Sequence, residues 1–179
     1  DLTNSHVLPA MIRKFHLARL AAERNWPAIE QAERRHGPLP DDLKRELHES
    51  CTLNRTPCVT LWGSGTPRRE FMYSDDMADA CVYLMCLPDA QFERLLWPAG
   101  SPIESSQRGL APLINIGVGQ DLSIRELAQT VCHTVGFEGD IVFDSGKPDG
   151  TMQKLLDVGL LTGQGWSART PFAHGLAIT

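Results

Sequence analysis

Helical and extended periodicities alternate along this chain, and that alternation constrains its fold more than any other feature. From Val7 to Asn25, Met11, Phe15, Ala18 and Ala22 recur at helical spacing, with Arg13, Lys14, Arg19 and Arg24 spread around them. Ser5 is placed to cap this helix, and Pro9 falls in its first turn, where a missing N–H costs nothing. Cys58–Trp62 reads as a short strand closed by the turn Gly63-Ser64-Gly65-Thr66-Pro67, and Arg69–Tyr73 as another extended segment. Ser74-Asp75-Asp76 opens a helix, with Ser74 as its cap and a buried stripe of Met77, Cys81, Leu84 and Met85; Pro88 stops it, and residues 88–111 read mostly as loop. Leu113–Gly117 has the pattern of a buried strand. Ser123 and Glu126 then form a capping box for a helix that Gly136 ends. Ile141-Val142-Phe143 is a further strand, Lys147–Gly150 a turn and Lys154–Asp157 a short strand, and Thr170-Pro171 opens a last helix. Elements in this order define an α/β chain.

Between the first helix and Cys58 lies a charged stretch with two short helix candidates, Pro27–His36 and Asp41–Ser50, split by Gly37-Pro38-Leu39-Pro40. Its apolar content is low, so it reads as an external helical excursion. Lys and Arg number 17 against 22 Asp and Glu, a net charge of −5, which argues against nucleic-acid binding through bulk positive charge. No apolar run approaches the ~20 residues of a membrane span. The opening DLTNSHVLPA lacks the basic-then-apolar layout of a secretory signal. The five cysteines include no C-x-x-C pair, so reduced thiols are expected, and with them a cytoplasmic location. Cys81 and Cys132 read as small core residues.

Three places carry candidate chemistry. His6 stands at the start of the first helix, and a neutral imidazole there is a usable proton carrier; a surface or capping His is the plainer reading. The stretch Trp62 to Phe71 combines an aromatic at a strand end, a glycine turn and the pair Arg68-Arg69. That suits a stacked base or sugar beside a phosphate, although a β-turn with solvated Arg has the same composition. Lys147, Asp149 and Lys154 could surround a polar ligand, or simply decorate a Pro-Asp-Gly turn. Gly117-Val118-Gly119 follows a strand pattern and precedes a helix. It lacks the third glycine of a dinucleotide loop, since position 122 is Leu, and is rejected as a cofactor fingerprint.

Four stretches in order resemble the C-terminal part of the GDP-L-fucose synthase family of extended short-chain dehydrogenases/reductases. They are NSHVLPAMIRKFH (Asn4–His16), LWGSGTPRREFMYSDDMADA (Leu61–Ala80), INIGVGQDLSIRELAQTV (Ile114–Val131) and VFDSGKPDGTMQKLLDV (Val142–Val158). The resemblance implies an NADP-dependent oxidoreductase/epimerase acting on GDP-4-keto-6-deoxy-D-mannose. It makes 1–179 the substrate-binding portion, with the charged excursion at about 26–55 as an insertion. The strand at about 113–117 would join a Rossmann sheet lying mostly outside this chain.

Residue by residue, the resemblance makes His6 the acid/base partner of a Cys in epimerising C3 and C5, close to the nicotinamide. It makes Lys14, Trp62 and Arg69 substrate-binding, and it puts Asp149 and Lys154 on a late loop over the substrate. The glycine-rich dinucleotide loop, the Ser/Tyr/Lys reductase triad and the epimerisation Cys belong upstream. NADP would therefore be bound mainly outside this chain, which alone would be catalytically incomplete. Gln153 stands where many members have a basic residue. A homodimer is implied, with no metal, membrane or nucleic-acid partner. Two other readings stay open: another nucleotide-sugar reductase or epimerase, and a non-catalytic module binding a nucleotide-sugar or a partner protein.

Overall fold

The computed structural model describes residues 5–52, 57–96 and 113–179, and the side chains of 50–52 and 96 are outside that description. The chain divides into two compact units: Asp1–Pro67 with Leu122–Met152, and Arg68–Asp121 with Gln153–Thr179.

The first unit is built on α1 (Val7–Ala22), which buries Met11, Phe15, Leu17, Ala18, Leu20 and Ala21. Against it pack α2 (Trp26–His36), α3 (Asp41–Thr52) and α6 (Ile124–Val135). β1 (Cys58–Trp62) and β4 (Asp140–Asp144) form a parallel pair in the register Cys58↔Asp140 to Trp62↔Asp144. Phe15 and Leu127 are wholly buried, and Phe15 meets Phe137 with ring centroids 5.8 Å apart. Each such side chain contributes about 1.5–3 kcal/mol of burial. Two arginines of α1 serve as caps for neighbouring helices. Arg13 donates to His36 O and Gly37 O at 3.0 and 2.7 Å, and Arg19 donates to Val135 O at 3.0 Å. Both place a cation where a helix leaves its last carbonyls unpaired.

The second unit contains β2 (Arg68–Glu70), α4 (Ser74–Met85), α5 (Asp89–Leu96), β5 (Gln153–Lys154), α7 (Gly159–Gly163) and α8 (Phe172–Ile178). Here β2 and β5 pair in parallel, in the register Arg68↔Gln153 and Arg69↔Lys154, and Asp121, the first residue of β3 (Asp121–Ser123), belongs to the same unit. Ala80, Leu161 and Trp166 form the core, with Tyr83, Leu84, Ile114 and Ile116 packed against it. Trp166 donates its indole N–H to Asp79 at 2.8 Å, so its polar edge is satisfied inside. The buried Asp76 accepts from both the backbone N–H and the hydroxyl of Thr170, at 2.9 and 3.1 Å, and so fixes the entry to α8.

The α/β class, the first helix, β1, β4, the capping box and the left-handed Gly136 all follow the sequence reading. Several expectations are corrected. Segment 26–55 is not wholly external: its helices bury Ile29, Leu43 and Leu47, and Leu39 between them, because each helix keeps one apolar stripe among its charges. Ser5 and Ser74 make no cap; His6 and Tyr73 hold the N-cap positions without side-chain cap bonds. On α4 the buried face carries Asp76 and Ala80, while Met77, Cys81 and Met85 are exposed. The Asp76–Thr170 contact sets that rotation. Cys132 is half-buried and donates its thiol to Phe137 O.

Leu113–Gly117 forms no ladder among the described residues. Leu113 and Asn115 are exposed, whereas Ile114 and Ile116 pack on the second core. A run with one covered face needs a partner on its edges to be a strand, and the sheets described here do not supply it. β5 is confined to Gln153–Lys154. α5 and α7 arise where loop was expected or nothing was assigned, and residues 97–111 of the expected loop lie outside the described residues.

Candidate functional site

The candidate residues fall into a group in the first unit (His6, Lys14, Trp62, Asp149) and a pair in the second (Arg69, Lys154).

His6 is exposed at the N-cap of α1, with extended backbone; its carbonyl accepts from Ala10 N at 3.1 Å, which leaves the ring to solvent. Its neighbours Ser5 and Val7 line a cavity of about 490 Å3. Lys14, two turns along α1, and Trp62, at the end of β1, line the same cavity, joined by Asp42 and Glu46 of α3. Lys14 Nζ donates to Thr60 O at 3.2 Å, and Thr60 N donates to Glu46 Oε1 at 2.9 Å. Both backbone polar atoms of Thr60 are thereby satisfied on the side of β1 that β4 does not cover. Trp62 is 67 % exposed, and Lys147 Nζ stands 5.3 Å from its ring centroid.

Asp149 closes the turn that follows Trp62. Its carboxylate accepts from Ser64 N at 2.8 Å and from Ser64 Oγ at 2.7 Å. These two bonds, the hydroxyl first, hold its carboxyl below the usual range. The turn itself needs its glycines. Gly63 and Gly65 have φ of +83° and +79°, and a Cβ on Gly65 would lie 2.5 Å from the Phe143 ring. Arg125 completes the enclosure by donating to Ser64 O at 2.9 Å while lying over Phe143.

In the second unit Arg69 and Lys154 are ladder partners on the parallel strands β2 and β5. Paired positions of a parallel ladder share a face, so the two side chains leave the sheet on the same side. Arg69 is half-buried, with one guanidinium nitrogen on Arg68 O at 2.7 Å; Lys154 is exposed. Two adjacent cations, one of them a planar fork, suit a phosphate or diphosphate.

Sequence reasoning missed the residues that hold this pair. Asp121 takes Gln153 Nε2 at 2.6 Å and Arg68 Nε at 2.7 Å, and these bonds, the Gln153 amide first, lower its carboxyl. Glu70 Oε1 accepts from Val118 N and Gly119 N at 2.5 and 2.7 Å, and Oε2 accepts from Leu156 N at 3.1 Å. The backbone of Gly117-Val118-Gly119 is therefore occupied by a carboxylate of the chain itself, which agrees with rejecting it as a dinucleotide loop and gives no fit there for the phosphates of NADP. No spacing rule joins residues this far apart in sequence, so only the charge types were available as a signal. Among the described residues no three His, Cys, Asp or Glu side chains converge as a metal site, and no helix is long and apolar enough to cross a membrane.

Residues 1–95 match the NAD dependent epimerase/dehydratase family, and the chain belongs to that family. Within it, the similarity to GDP-L-fucose synthases expected from the four stretches is borne out. Over 177 residues the chain is 38 % identical to GDP-L-fucose synthase of Escherichia coli (strain K12), a match covering 99 % of this chain and 41 % of that protein. A GDP-6-OMe-4-keto-L-xylo-heptose reductase from Campylobacter jejuni is similar in structure, with a TM-score of 0.74 and 36 % identity over 99 % of this chain and 47 % of that one. A GDP-mannoheptose C4 reductase from the same organism, solved with NADP bound, gives 0.67 and 34 % over 99 % and 46 %. The chain thus spans less than half the length of these relatives.

Proposed function

We propose that this chain is the substrate-binding portion of an NADP-dependent epimerase/reductase that converts GDP-4-keto-6-deoxy-D-mannose to GDP-L-fucose. The observation that carries the reading is the 38 % identity to a GDP-L-fucose synthase over 99 % of the chain. His6 acts as the proton carrier at C3 and C5, whose protons are loosened by the neighbouring keto group and need a weak base to leave and a weak acid to return. Lys14 and Trp62 bind the nucleotide-sugar, Arg69 and Lys154 its diphosphate, and Asp149 holds the turn that follows Trp62. The ladder pairing of Arg69 with Lys154 supports the diphosphate assignment.

NADP supplies the hydride for C4 and is held mainly by residues outside this chain. The exposed alternation at Leu113–Gly117, with Ile114 and Ile116 turned inward, supports its joining the sheet of that cofactor-binding part. A cytoplasmic homodimer completes the proposal.

The test is NADPH oxidation by the full-length protein that contains this chain, given GDP-4-keto-6-deoxymannose, with GDP-L-fucose identified as product. Turnover of another GDP-sugar in its place supports a sister reductase. GDP binding with no NADPH consumption by any GDP-keto-sugar supports a non-catalytic module.

A further inference from the structure

The cavity beside His6 has a wall that none of the four family-like stretches supplies. Asp42, Leu43 and Glu46 line it from α3, which lies between the first stretch (Asn4–His16) and the second (Leu61–Ala80). We infer that α3 is a specificity wall of the nucleotide-sugar site, taking the base end of the ligand, with Asp42 facing the edge of a guanine and Glu46 positioning Trp62. This rests on the reading above that the ligand is a GDP-sugar.

Charge decides which end of the ligand the cavity favours. Its ionisable lining is one ammonium, Lys14, against two carboxylates, Asp42 and Glu46; Lys14 already donates to Thr60 O, and a second ammonium, Lys147, stands 5.3 Å from the ring of Trp62. A diphosphate would meet no net positive charge on the α3 side, where both carboxylates stand, whereas an uncharged group rich in donors is attracted there. Guanine presents N1–H and the exocyclic amine side by side on one edge, which a carboxylate accepts. Uracil presents a single N–H between two carbonyl oxygens, and a carboxylate repels those. The size fits as well, since about 490 Å3 lies in the range of small-ligand sites. Trp62, 67 % exposed, offers a face for stacking a base.

Glu46 acts through Thr60. It accepts Thr60 N while Lys14 donates to Thr60 O, and Trp62 lies two residues on, on the same face of β1. The pair fixes the strand that presents the aromatic.

The experiment measures the affinities of the protein for GDP and UDP by calorimetry in wild type, Asp42→Asn, Glu46→Ala and Glu46→Gln. Wild type is expected to prefer GDP, and Asp42→Asn to lower the GDP-to-UDP affinity ratio about tenfold by removing a charged acceptor. Glu46→Ala weakens both nucleotides, and Glu46→Gln, which still accepts from Thr60 N, restores them. Circular dichroism and melting temperature verify that each variant folds. An unchanged GDP-to-UDP ratio in a folded Asp42→Asn overturns the inference while leaving the proposed function standing. A wild-type protein that binds no GDP overturns the proposed function itself.

Discussion

Ser64 and Asp149 clasp each other twice, through the backbone N–H and the hydroxyl of the serine, across 85 positions of sequence. The bond pair ties the turn after Trp62 to the loop after β4. Asp149→Asn keeps one acceptor and loses the charge, so the turn at 63–66 should exchange its amides faster, as read by hydrogen–deuterium exchange. The same pair gives a pH dependence. The Asp149 carboxyl is lowered in the folded chain by the Ser64 hydroxyl and N–H, so its contribution to stability is present above the ordinary carboxylate range of about pH 4 and is lost as pH falls through the lowered value. In acid titrations of the melting temperature, Asp149→Ala should therefore differ from wild type above about pH 4 and converge on it below.

Gly65 combines a φ of +79° with a Cβ position 2.5 Å from Phe143. Gly65→Ala should cost about 1–3 kcal/mol from the backbone alone, with the ring clash added to it. Thermal unfolding measures this, and a melting temperature equal to that of wild type would contradict the turn geometry.

Arg69 and Lys154 are proposed to share a diphosphate. Each single change to Ala should weaken GDP about tenfold, with the double change losing less than the product of the two because they share one ligand. The salt dependence of GDP affinity should flatten in each variant. Guanosine, which has no phosphate, should bind all of them alike; a loss there would show that the strands had moved.

In the full-length protein, His6→Ala should lower the rate of deuterium incorporation at C3 and C5 of GDP-4-keto-6-deoxymannose by about 10²–10⁴. GDP affinity should stay within twofold of wild type, because the imidazole is exposed at the N-cap and makes no cap bond. Loss of GDP binding along with exchange would make His6 a structural residue instead.

Local chemistry was the legible part of this molecule. The capping box at Ser123 and Glu126, the left-handed Gly136 and the glycine turn after Trp62 are each decided within a few residues, and each stands in the structure as read. What tertiary partners decide was not legible. The burial of Asp76 rather than Met77 follows from Thr170, which no periodicity along α4 reveals. The charged helices α2 and α3 bury single apolar stripes because α1 lies beneath them. At the site, the residue types were visible as candidates; the pairing of Arg69 with Lys154 and the clasp of Ser64 on Asp149 were not, because each joins segments far apart in the chain.

The ladder that seats Arg69 beside Lys154 has a further consequence. The spacing of the two Cα positions is set by hydrogen-bonded register, and the length of chain running between them does not enter it. Loops anywhere in that stretch can lengthen, shorten or acquire new helices while the paired backbone positions keep their spacing. If the proposed diphosphate site stands, evolution can remodel its surroundings without moving the two backbone positions from which its cations spring.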